Sequence, residues 1–427
     1  MVRRILSIII TLAVVIGTLP VNTNAAETGQ EMTPTRTETL ELSISQGEEN
    51  QEEGWKWTAD NNGGTLELEN CYIKTDEVKA LRFVFPDNNN SKTINIILKG
   101  NNIIETTSTD YKAMIGSTDK AGSSITYNTL GDYVIKGEGS LDIRTSEPIT
   151  KPESPYAFGG KSIRIESGNI KSNIGFCFVR KEVNIQGGSM YIDIPSGIGA
   201  LDGVYGEPIN ISGGDIYINA PQCAIRSDDG DINITGGNVE CGSKESTSGI
   251  FSSCNINITG NGETIPNVKV SNKPGTAFSA LHSNNISVSG SAVIADSIRN
   301  FDSIEEIIEK GIVFNGSDGK VYGETELTSC ITLPVGSTLS VPEDSVLHIK
   351  NGGGSLIIPD GALLVNNGIP VSAGNGEEIC ITGGYIKKEG VFCTNHNKKY
   401  SIVTIKDGDN ETPNYYSEGS IILLEPG

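Results

Sequence analysis

A short phrase that ends in glycine recurs through the middle of the chain, and it constrains the fold more than any other feature. The phrase begins with isoleucine and occurs five times, as Ile165–Gly168, Ile185–Gly188, Ile211–Gly214, Ile234–Gly237 and Ile258–Gly260. The glycines that end it are 20, 26, 23 and 23 residues apart. A period of this length is typical of solenoids, in which each repeat forms one turn of a coil.

Apolar and polar residues alternate on both sides of each glycine, as in the stretch from Ile209 to Ile218. Alternation with a period of two indicates β-strands rather than helices. Glycine then falls where the chain bends between two strands, because it adopts backbone angles that other residues avoid. Since one turn cannot bury its apolar face alone, we predict an all-β fold, a right-handed parallel β-helix (solenoid) whose turns stack about 4.8 Å apart.

The patterns divide the chain into further segments. Residues 27–53 are acidic with little periodicity, which predicts a flexible or irregular lead, and residues 54–300 form the β-helix domain with coils of 20–26 residues. Ser303 and Glu306 have the spacing of a capping box, so we expect one short helix near 303–310 within the boundary segment 301–311.

Shorter strands follow this helix. Apolar runs recur roughly every eight residues between 312 and 393, separated by Pro or Gly, which indicates a second β-helix section with three short sides per coil. Residues 394–427 depart from this pattern and predict a C-terminal tail with an isolated hairpin or a partial small β repeat.

The N-terminus predicts export. Residues 1–26 contain Arg3 and Arg4, an apolar run from Ile5 to Leu19, and small residues that suit signal peptidase. This is the pattern of a secretory signal peptide, and its apolar run is too short for a membrane span. We therefore expect an extracellular protein, secreted or loosely associated with the cell surface, without a transmembrane segment after signal removal.

Charge and cysteine content limit the partners. The net charge is −21 and becomes −23 without Arg3 and Arg4, so we expect repulsion of nucleic acid, and of acidic polysaccharides unless a divalent cation bridges them. The eight cysteines contain no C-x-x-C pair, and disulfides and buried free thiols both remain open. They are Cys71, Cys177, Cys223, Cys241, Cys254, Cys330, Cys380 and Cys393.

Three stretches resemble a known group of proteins. They are the opening Trp55–Leu68, the Ile-Thr-Gly-Gly repeats, and Leu333–Pro342 with the pattern Leu-Pro-x-Gly-x-Thr-Leu-x-Val-Pro. Together they are similar to secreted right-handed β-helix proteins of clostridia and related gut or anaerobic bacteria, called carbohydrate-binding domain-containing proteins. The resemblance covers about residues 54–393 and implies a non-catalytic protein that binds polysaccharide.

Two outward-facing features of the repeats fit sugar binding. Asn184, Asn210, Asn233 and Asn257 hold equivalent positions and should form a polar column that matches a polysaccharide chain, or one that only pairs with itself. Tyr191 and Tyr217 should stack one coil apart, and their rings offer apolar faces to sugars. Trp55 and Trp57 alternate in a strand, so one should lie in the core and the other should be exposed or capping.

An acidic cluster suggests a second kind of site. Asp228, Asp229 and Asp231 lie within four residues at a turn, with Asp202 in the preceding coil, and carboxylate oxygens of this kind can bind Ca²⁺. Solvated turn aspartates are the alternative. Arg226 adjoins the cluster and is the candidate base of a calcium-dependent polysaccharide lyase.

From these observations we expect a secreted, monomeric, non-catalytic protein that binds plant, host or cell-wall glycans along the coil. A structural surface protein or adhesin is the first alternative, and a lyase of the pectate-lyase-like fold is the second.

Overall fold

The computed structural model describes most of the chain between residues 32 and 417. The described ranges are 32–45, 47–77, 79–85, 92–108, 113–119, 131–147, 156–179, 181–195, 202–260, 265–349, 355–358, 362–366, 372–373, 379–382, 385–387, 393–394, 400–407 and 410–417. The predicted signal peptide at 1–26 lies outside the described residues.

In the described residues up to Ala295, the first part of the protein contains twenty-nine short strands. In chain order they are β1 (Leu40–Ser43), β2 (Glu49–Glu52), β3 (Trp55–Asp60), β4 (Gly63–Glu69), β5 (Tyr72–Thr75), β6 (Leu81–Phe85), β7 (Lys92–Lys99), β8 (Asn101–Thr106), β9 (Ala113–Asp119), β10 (Gly131–Gly137), β11 (Ser140–Thr145), β12 (Tyr156–Gly160), β13 (Ser162–Ile165), β14 (Asn169–Ser172), β15 (Gly175–Val179), β16 (Val183–Ile185), β17 (Ser189–Asp193), β18 (Val204–Tyr205), β19 (Ile209–Ile211), β20 (Asp215–Asn219), β21 (Cys223–Ser227), β22 (Ile232–Ile234), β23 (Asn238–Cys241), β24 (Ser248–Ser252), β25 (Asn255–Thr259), β26 (Asn267–Val270), β27 (Leu281–His282), β28 (Asn285–Ser289) and β29 (Ala292–Ala295).

From β5 onward, every third strand joins the same sheet, and neighbours within each sheet are parallel. Sheet 1 runs from β1 and β6 to β27, sheet 2 from β4 and β7 to β28, and sheet 3 from β5 and β8 to β29. The chain therefore visits sheets 1, 2 and 3 in turn and moves one strand along in each round. This confirms the predicted all-β fold with parallel sheets.

Alternation within the strands fills one core between the three sheets. Ile209 and Ile211 of β19 and Ile216 and Ile218 of β20 are buried, while Asn210 between the first pair is half-buried. Register places Ile211 between Ile185 and Ile234 of the neighbouring coils, so like side chains stack along the protein. Each coil thus contributes one layer of a continuous apolar core.

Glycine occupies the corners between sheets 2 and 3, as the repeat predicts. Gly168, Gly188, Gly214 and Gly237 all have positive φ, between 80° and 102°. At Gly188 a Cβ atom would lie 2.4 Å from the carbonyl oxygen of Gly168, one coil away. Both the left-handed backbone and the close stacking of successive corners therefore require glycine here.

Residues 40–52 differ from the predicted irregular lead. Leu40 and Leu42 are buried in the core, and β1 begins sheet 1 by pairing with β6. Strands β2, β3 and β4 form an antiparallel meander that begins sheet 2. The reason is the alternation of Leu40, Leu42 and Ile44, which provides a buried face in a segment that is otherwise polar.

The predicted helix exists but begins earlier, and its capping box is wrong. Helix α1 spans Phe301–Glu305, is preceded by Asn300 with φ 54°, and has no side-chain cap. Ser303 therefore lies inside the helix rather than at its N-cap. Ile304 and Ile308 are buried against the first core, and Phe301 packs on it. The segment thus covers the end of that core, whereas Ile307 is 63% exposed.

The described residues of the second part contain fourteen strands. They are β30 (Gly311–Asn315), β31 (Asp318–Tyr322), β32 (Glu324–Leu327), β33 (Cys330–Thr332), β34 (Thr338–Val341), β35 (Val346–Ile349), β36 (Ser355–Ile358), β37 (Leu363–Asn366), β38 (Ser372–Ala373), β39 (Ile379–Thr382), β40 (Tyr385–Lys387), β41 (Cys393–Thr394), β42 (Tyr400–Asp407) and β43 (Asn410–Ser417). Sheet 3 continues through β31, β34, β37 and β40, while sheets 4 (β32, β35, β38, β41) and 5 (β33, β36, β39, β42, β43) are new. In the tail, β42 and β43 form an antiparallel hairpin.

The core changes to the other face of sheet 3 at β30. Val313 belongs to the first core, whereas Ile312 and Phe314 on the opposite face belong to a second core with Leu339 and Leu364. In the same place, β30 and β31 pair antiparallel, so the strand direction reverses. Reversing the strand direction alone would reverse the hand of the coil, and so would moving the core to the other face of the sheet. The two changes together leave the hand unchanged. The two coils therefore wind with the same hand.

The six cysteines whose side chains the structure describes are all free thiols. Cys71, Cys177, Cys223 and Cys241 are buried, Cys254 is half-buried and Cys330 is exposed. Within this set the structure decides between the two alternatives in favour of free thiols. Burial raises the pKa of Cys177 to about 12, which keeps it protonated and unreactive at neutral pH.

Thiol labelling of the native protein is expected to distinguish these cysteines. Iodoacetamide should modify Cys330 rapidly and Cys177 and Cys241 only after unfolding, because a buried neutral thiol has neither access nor nucleophilicity. Peptide mapping by mass spectrometry measures each site separately. Rapid native labelling of Cys177, or a disulfide-linked peptide containing it, would contradict the structure.

Candidate functional site: an outer groove on sheet 3

The asparagine column predicted on sheet 2 exists and pairs with itself. Each bond joins two side chains, from Nδ2 of one asparagine to Oδ1 of the next: Asn210 donates to Asn184 over 3.0 Å, Asn233 to Asn210 over 2.9 Å, and Asn257 to Asn233 over 2.9 Å. Each inner asparagine therefore spends one donor and one acceptor within the ladder. Asn210 also donates to the carboxylate of Glu182 over 3.1 Å. This arrangement favours the structural alternative for the column.

Tyr191 and Tyr217 stack as predicted, on the outer face of sheet 3. Their ring centroids are 4.8 Å apart with planes inclined by 11°, and both side chains are half-buried. Burial raises the pKa of Tyr217 to about 12, with Asp193 adding to the effect. Each ring therefore covers one face of the other. The opposite face of Tyr191 is on the side of Lys171, its neighbour in the preceding coil.

The two tryptophans are not available to a ligand, so of the two expected alternatives for the second ring, exposed or capping, the exposed one is wrong. Trp55 is 7% exposed and Trp57 is fully buried. The indole N–H of Trp57 donates to the Ser43 carbonyl over 2.9 Å. Gly64 makes room for the ring, because a Cβ there would lie 2.4 Å from it. Trp57 therefore fills the first coils of the core.

A groove of about 1910 Å³ runs along the outer face of sheet 3 from β5 to β17. Its lining includes the outward side chains of these strands and the corners before them, with Met32 and Pro34 at its N-terminal part. Tyr191 lines the groove on β17, the last of these strands. Small-molecule pockets measure about 300–1,000 Å³. The groove is therefore long enough for an extended ligand that spans several coils.

Glu105 is the best-satisfied charge in the groove. Its side chain is 4% exposed and accepts from Lys74 Nζ at 2.8 Å, Arg144 Nε at 2.9 Å and the Tyr72 hydroxyl at 2.8 Å. Burial acts to raise its pKa, but these three donors outweigh it and hold the pKa at about 2. Glu105 is therefore a permanent carboxylate that anchors the two cations and Tyr72.

Asp142 lies one coil further along the groove, beside Arg144 and Lys171. Arg144 Nη1 donates to its carboxylate over 3.0 Å, and register aligns Asp142 with Lys171. Burial raises the pKa of Asp142, while Arg144 and Lys171 oppose the increase. Arg144 thus bridges Asp142 and Glu105 and fixes both carboxylates in the wall of the groove.

The acidic turn near Asp228 does not assemble the predicted calcium site. Asp228 accepts from Arg226 at 2.9 and 3.0 Å, Asp231 accepts from the Asn255 amide at 2.7 Å, and Asp229 is exposed. No group of three or more His, Cys, Asp or Glu side chains in the described part of the chain has the geometry of a metal site. The arginine replaces a cation as the counter-charge.

Arg226 is also unsuited to act as a base. Its guanidinium contacts Asp228 and lies 3.6 Å from Asp202, and its plane lies over the Phe251 ring at 5.7 Å. Burial acts to lower its pKa, but Asp228 and Asp202 outweigh burial and raise the pKa above its ordinary value. It therefore stays protonated and cannot accept a proton.

Asp202 gives this cluster a pH dependence. Burial raises its pKa to about 6 from an ordinary value of 3.8, despite Arg226 and the Cys223 N–H. A buried carboxyl group whose pKa is raised contributes its full stability below pH 3.8, and this contribution is lost as the pH rises through about 6.

Asp202→Asn removes this titration, so the stability of the variant relative to wild type should increase between pH 4 and 8 by on the order of 3 kcal/mol. Urea unfolding followed by circular dichroism measures this, and parallel pH profiles would contradict it.

Most of the groove does not follow from the repeat, because the regular repeats begin only at about residue 156. Gly100, Gly137 and Gly168 all have positive φ at corners that precede β8, β11 and β14. Aligning the chain on Gly100, Gly139 and Gly168, the residues directly before these strands, would have placed Glu105 beside Arg144, and Asp142 beside Lys171.

Comparisons of the chain with protein-family models, with curated proteins and with solved structures found no match. In the described residues, no helix has the length and apolar character needed to cross a membrane.

Proposed function

We propose that the protein binds an extracellular polysaccharide in the groove of sheet 3 without cleaving it. The observation that carries the proposal is the position of the stacked tyrosines: Tyr191 lines a groove of about 1910 Å³, and Tyr217 continues the same outward column. Aromatic rings combine an apolar face with a polar edge, which matches the faces and hydroxyl groups of sugars.

The shape and chemistry of the groove suit a polymer. It follows several coils, and its lining includes neutral polar groups at regular positions, among them Asn101, Ser140 and Asn169. Ser140 already donates to Asn101 over 3.0 Å, but each amide retains further hydrogen-bonding capacity. Many individually weak contacts along a repeating ligand can add up to useful affinity.

The proposal includes the finer features that the sequence predicts. These are export by a signal peptide, a right-handed β-helix, a monomeric state and the resemblance to secreted clostridial carbohydrate-binding proteins. Right-handed winding is supported by the general rule that crossovers between parallel strands of one sheet are right-handed.

A structural surface protein or adhesin is the second candidate. The self-paired asparagine ladder of sheet 2 favours it, because that face stabilises the coil without needing a ligand. The lyase alternative lacks comparable support, since Arg226 is held by two aspartates and stays protonated.

Native gel electrophoresis in the presence of soluble polysaccharides tests the binding proposal. The full chain should be retarded by at least one glycan in a panel of neutral and anionic polysaccharides. Tyr191→Ala should reduce this retardation by roughly tenfold or more in apparent affinity, because stacking on an aromatic ring contributes on the order of 1.5 kcal/mol.

Tyr205→Ala is the matched control. Tyr205 also stacks on an aromatic ring, that of Phe178 at 4.6 Å, but it lies on sheet 1 away from the groove. Its replacement should leave retardation unchanged. Absence of retardation by every polysaccharide, or equal loss in both variants, would support the structural candidate instead.

A further inference from the structure

The groove is less acidic than the rest of the protein. The chain has a net charge of −21, yet the groove contains four cations, Lys74, Lys99, Arg144 and Lys171, against three carboxylates, Glu105, Glu138 and Asp142. A local potential of this kind determines which ligands approach a cleft, even when the whole protein carries the opposite charge.

Three of the four cations are already paired. Lys74 and Arg144 bind Glu105, and Lys99 binds Glu67 at 2.5 Å. Lys171 is exposed and forms no ion pair with a carboxylate in the part of the chain that the structure describes. It is therefore the groove cation that can bind an anionic group of a ligand without first releasing a protein carboxylate.

Lys171 also has a defined place relative to the aromatic platform. It lies on β14, directly between Asp142 of β11 and Tyr191 of β17. Since Tyr217 covers one face of Tyr191, a sugar can stack only on the face that is turned toward Lys171. A sugar held there would lie against the Lys171 side chain, whose flexible stem allows the ammonium group to reach it.

We infer that the groove selects polysaccharides that contain uronic acid, with Lys171 binding the sugar carboxylate beside Tyr191. This inference rests on the proposed function, because it names the class of glycan for the same groove. It also refines the expectation from net charge, which predicts repulsion of acidic polysaccharides, because the local pattern of charge at Lys171 opposes the overall charge.

The neighbouring carboxylate does not cancel this cation. Asp142 accepts from Arg144 at 3.0 Å, so its negative charge is shared with the guanidinium. Glu105 is surrounded by Lys74, Arg144 and Tyr72. Glu105 and Asp142 are thus compensated inside the protein, and the third carboxylate, Glu138, lies at the corner before β11 rather than beside Lys171. Lys171 is compensated only by the field of Asp142 and by solvent.

Paired ligands that differ only in charge test the inference. Polygalacturonate and its fully methyl-esterified form have the same backbone, and hyaluronan and its carboxyl methyl ester provide a second pair. Binding of the full chain is measured in a chelator, so that no divalent cation bridges two carboxylates. The wild type should bind an acid form roughly fivefold more tightly than its ester, and the difference should diminish at high salt.

Variants assign the preference to Lys171. Lys171→Ala should lose the preference for the acid form while it retains binding of the ester, and Lys171→Arg should restore the preference. Lys181→Ala removes the same charge from an exposed position outside the groove and should leave the preference for the acid form intact.

Equal binding of acid and ester, or a preference that survives in Lys171→Ala, overturns the inference and leaves glycan binding in place. Absence of binding to both members of each pair overturns the inference, and absence across the wider panel overturns the proposed function as well.

Discussion

Gly188→Ala is expected to lower the free energy of unfolding by roughly 2–5 kcal/mol. Two costs combine at this corner. The φ of Gly188 is 80°, a left-handed conformation that costs residues with a Cβ about 1–2 kcal/mol. In addition, the new Cβ would lie 2.4 Å from the Gly168 carbonyl oxygen, so the stacked corners must separate. Urea unfolding followed by circular dichroism measures the loss.

Gly275→Ala separates the two costs. Gly275 has nearly the same φ, 79°, but a Cβ there would meet no atom within 4 Å. It should therefore show only the cost of the backbone conformation, about 1–2 kcal/mol. Equal destabilisation in the two variants would mean that the corners do not stack as closely as the structure indicates.

Phe314→Ala is expected to cost about 3–5 kcal/mol and to loosen the second core selectively. The Phe314 side chain is fully buried on the face of β30 that belongs to this core. Gly319, on the paired strand, makes room for the ring, because a Cβ there would lie 2.3 Å from it. Hydrogen–deuterium exchange should therefore increase in β32 to β36 before it increases in the first coils.

Val313→Ala is the matched control on the same strand. Val313 is also fully buried, but its side chain belongs to the first core. Its replacement should cost roughly 2 kcal/mol and should increase exchange in β26 and β29 instead. If the two variants increased exchange in the same strands, the assignment of Val313 and Phe314 to different cores would be contradicted.

Local chemistry explains which parts of the fold were predictable. The glycine corners follow from the sequence, because positive φ and close stacking admit almost no other residue. The start of α1 does not, because Asn300 adopts a left-handed conformation without a side-chain cap, and burial of Ile304 determines where the helix lies. The change of core face is likewise a tertiary feature, since Ile312, Val313 and Phe314 are all apolar and their pattern favours neither face.

The candidate site divides in the same way. The stacking of Tyr191 on Tyr217 was predictable because the two residues hold equivalent positions in adjacent repeats. The contacts of Glu105 with Tyr72 and Arg144 were not, because they join residues 33 and 39 positions apart through coils of irregular length. The acidic turn failed as a calcium site because a single side chain, Arg226, supplies the positive charge that the carboxylates need.

The most direct test of glycan binding in the groove is a glycan array probed in parallel with the wild-type chain and Tyr191→Ala. We expect saturable binding of the wild type to at least one polysaccharide, with strong weakening in Tyr191→Ala, because that ring lines the groove and Tyr217 covers only one of its faces. A silent array, or binding that Tyr191→Ala leaves unchanged, would contradict glycan binding at this site.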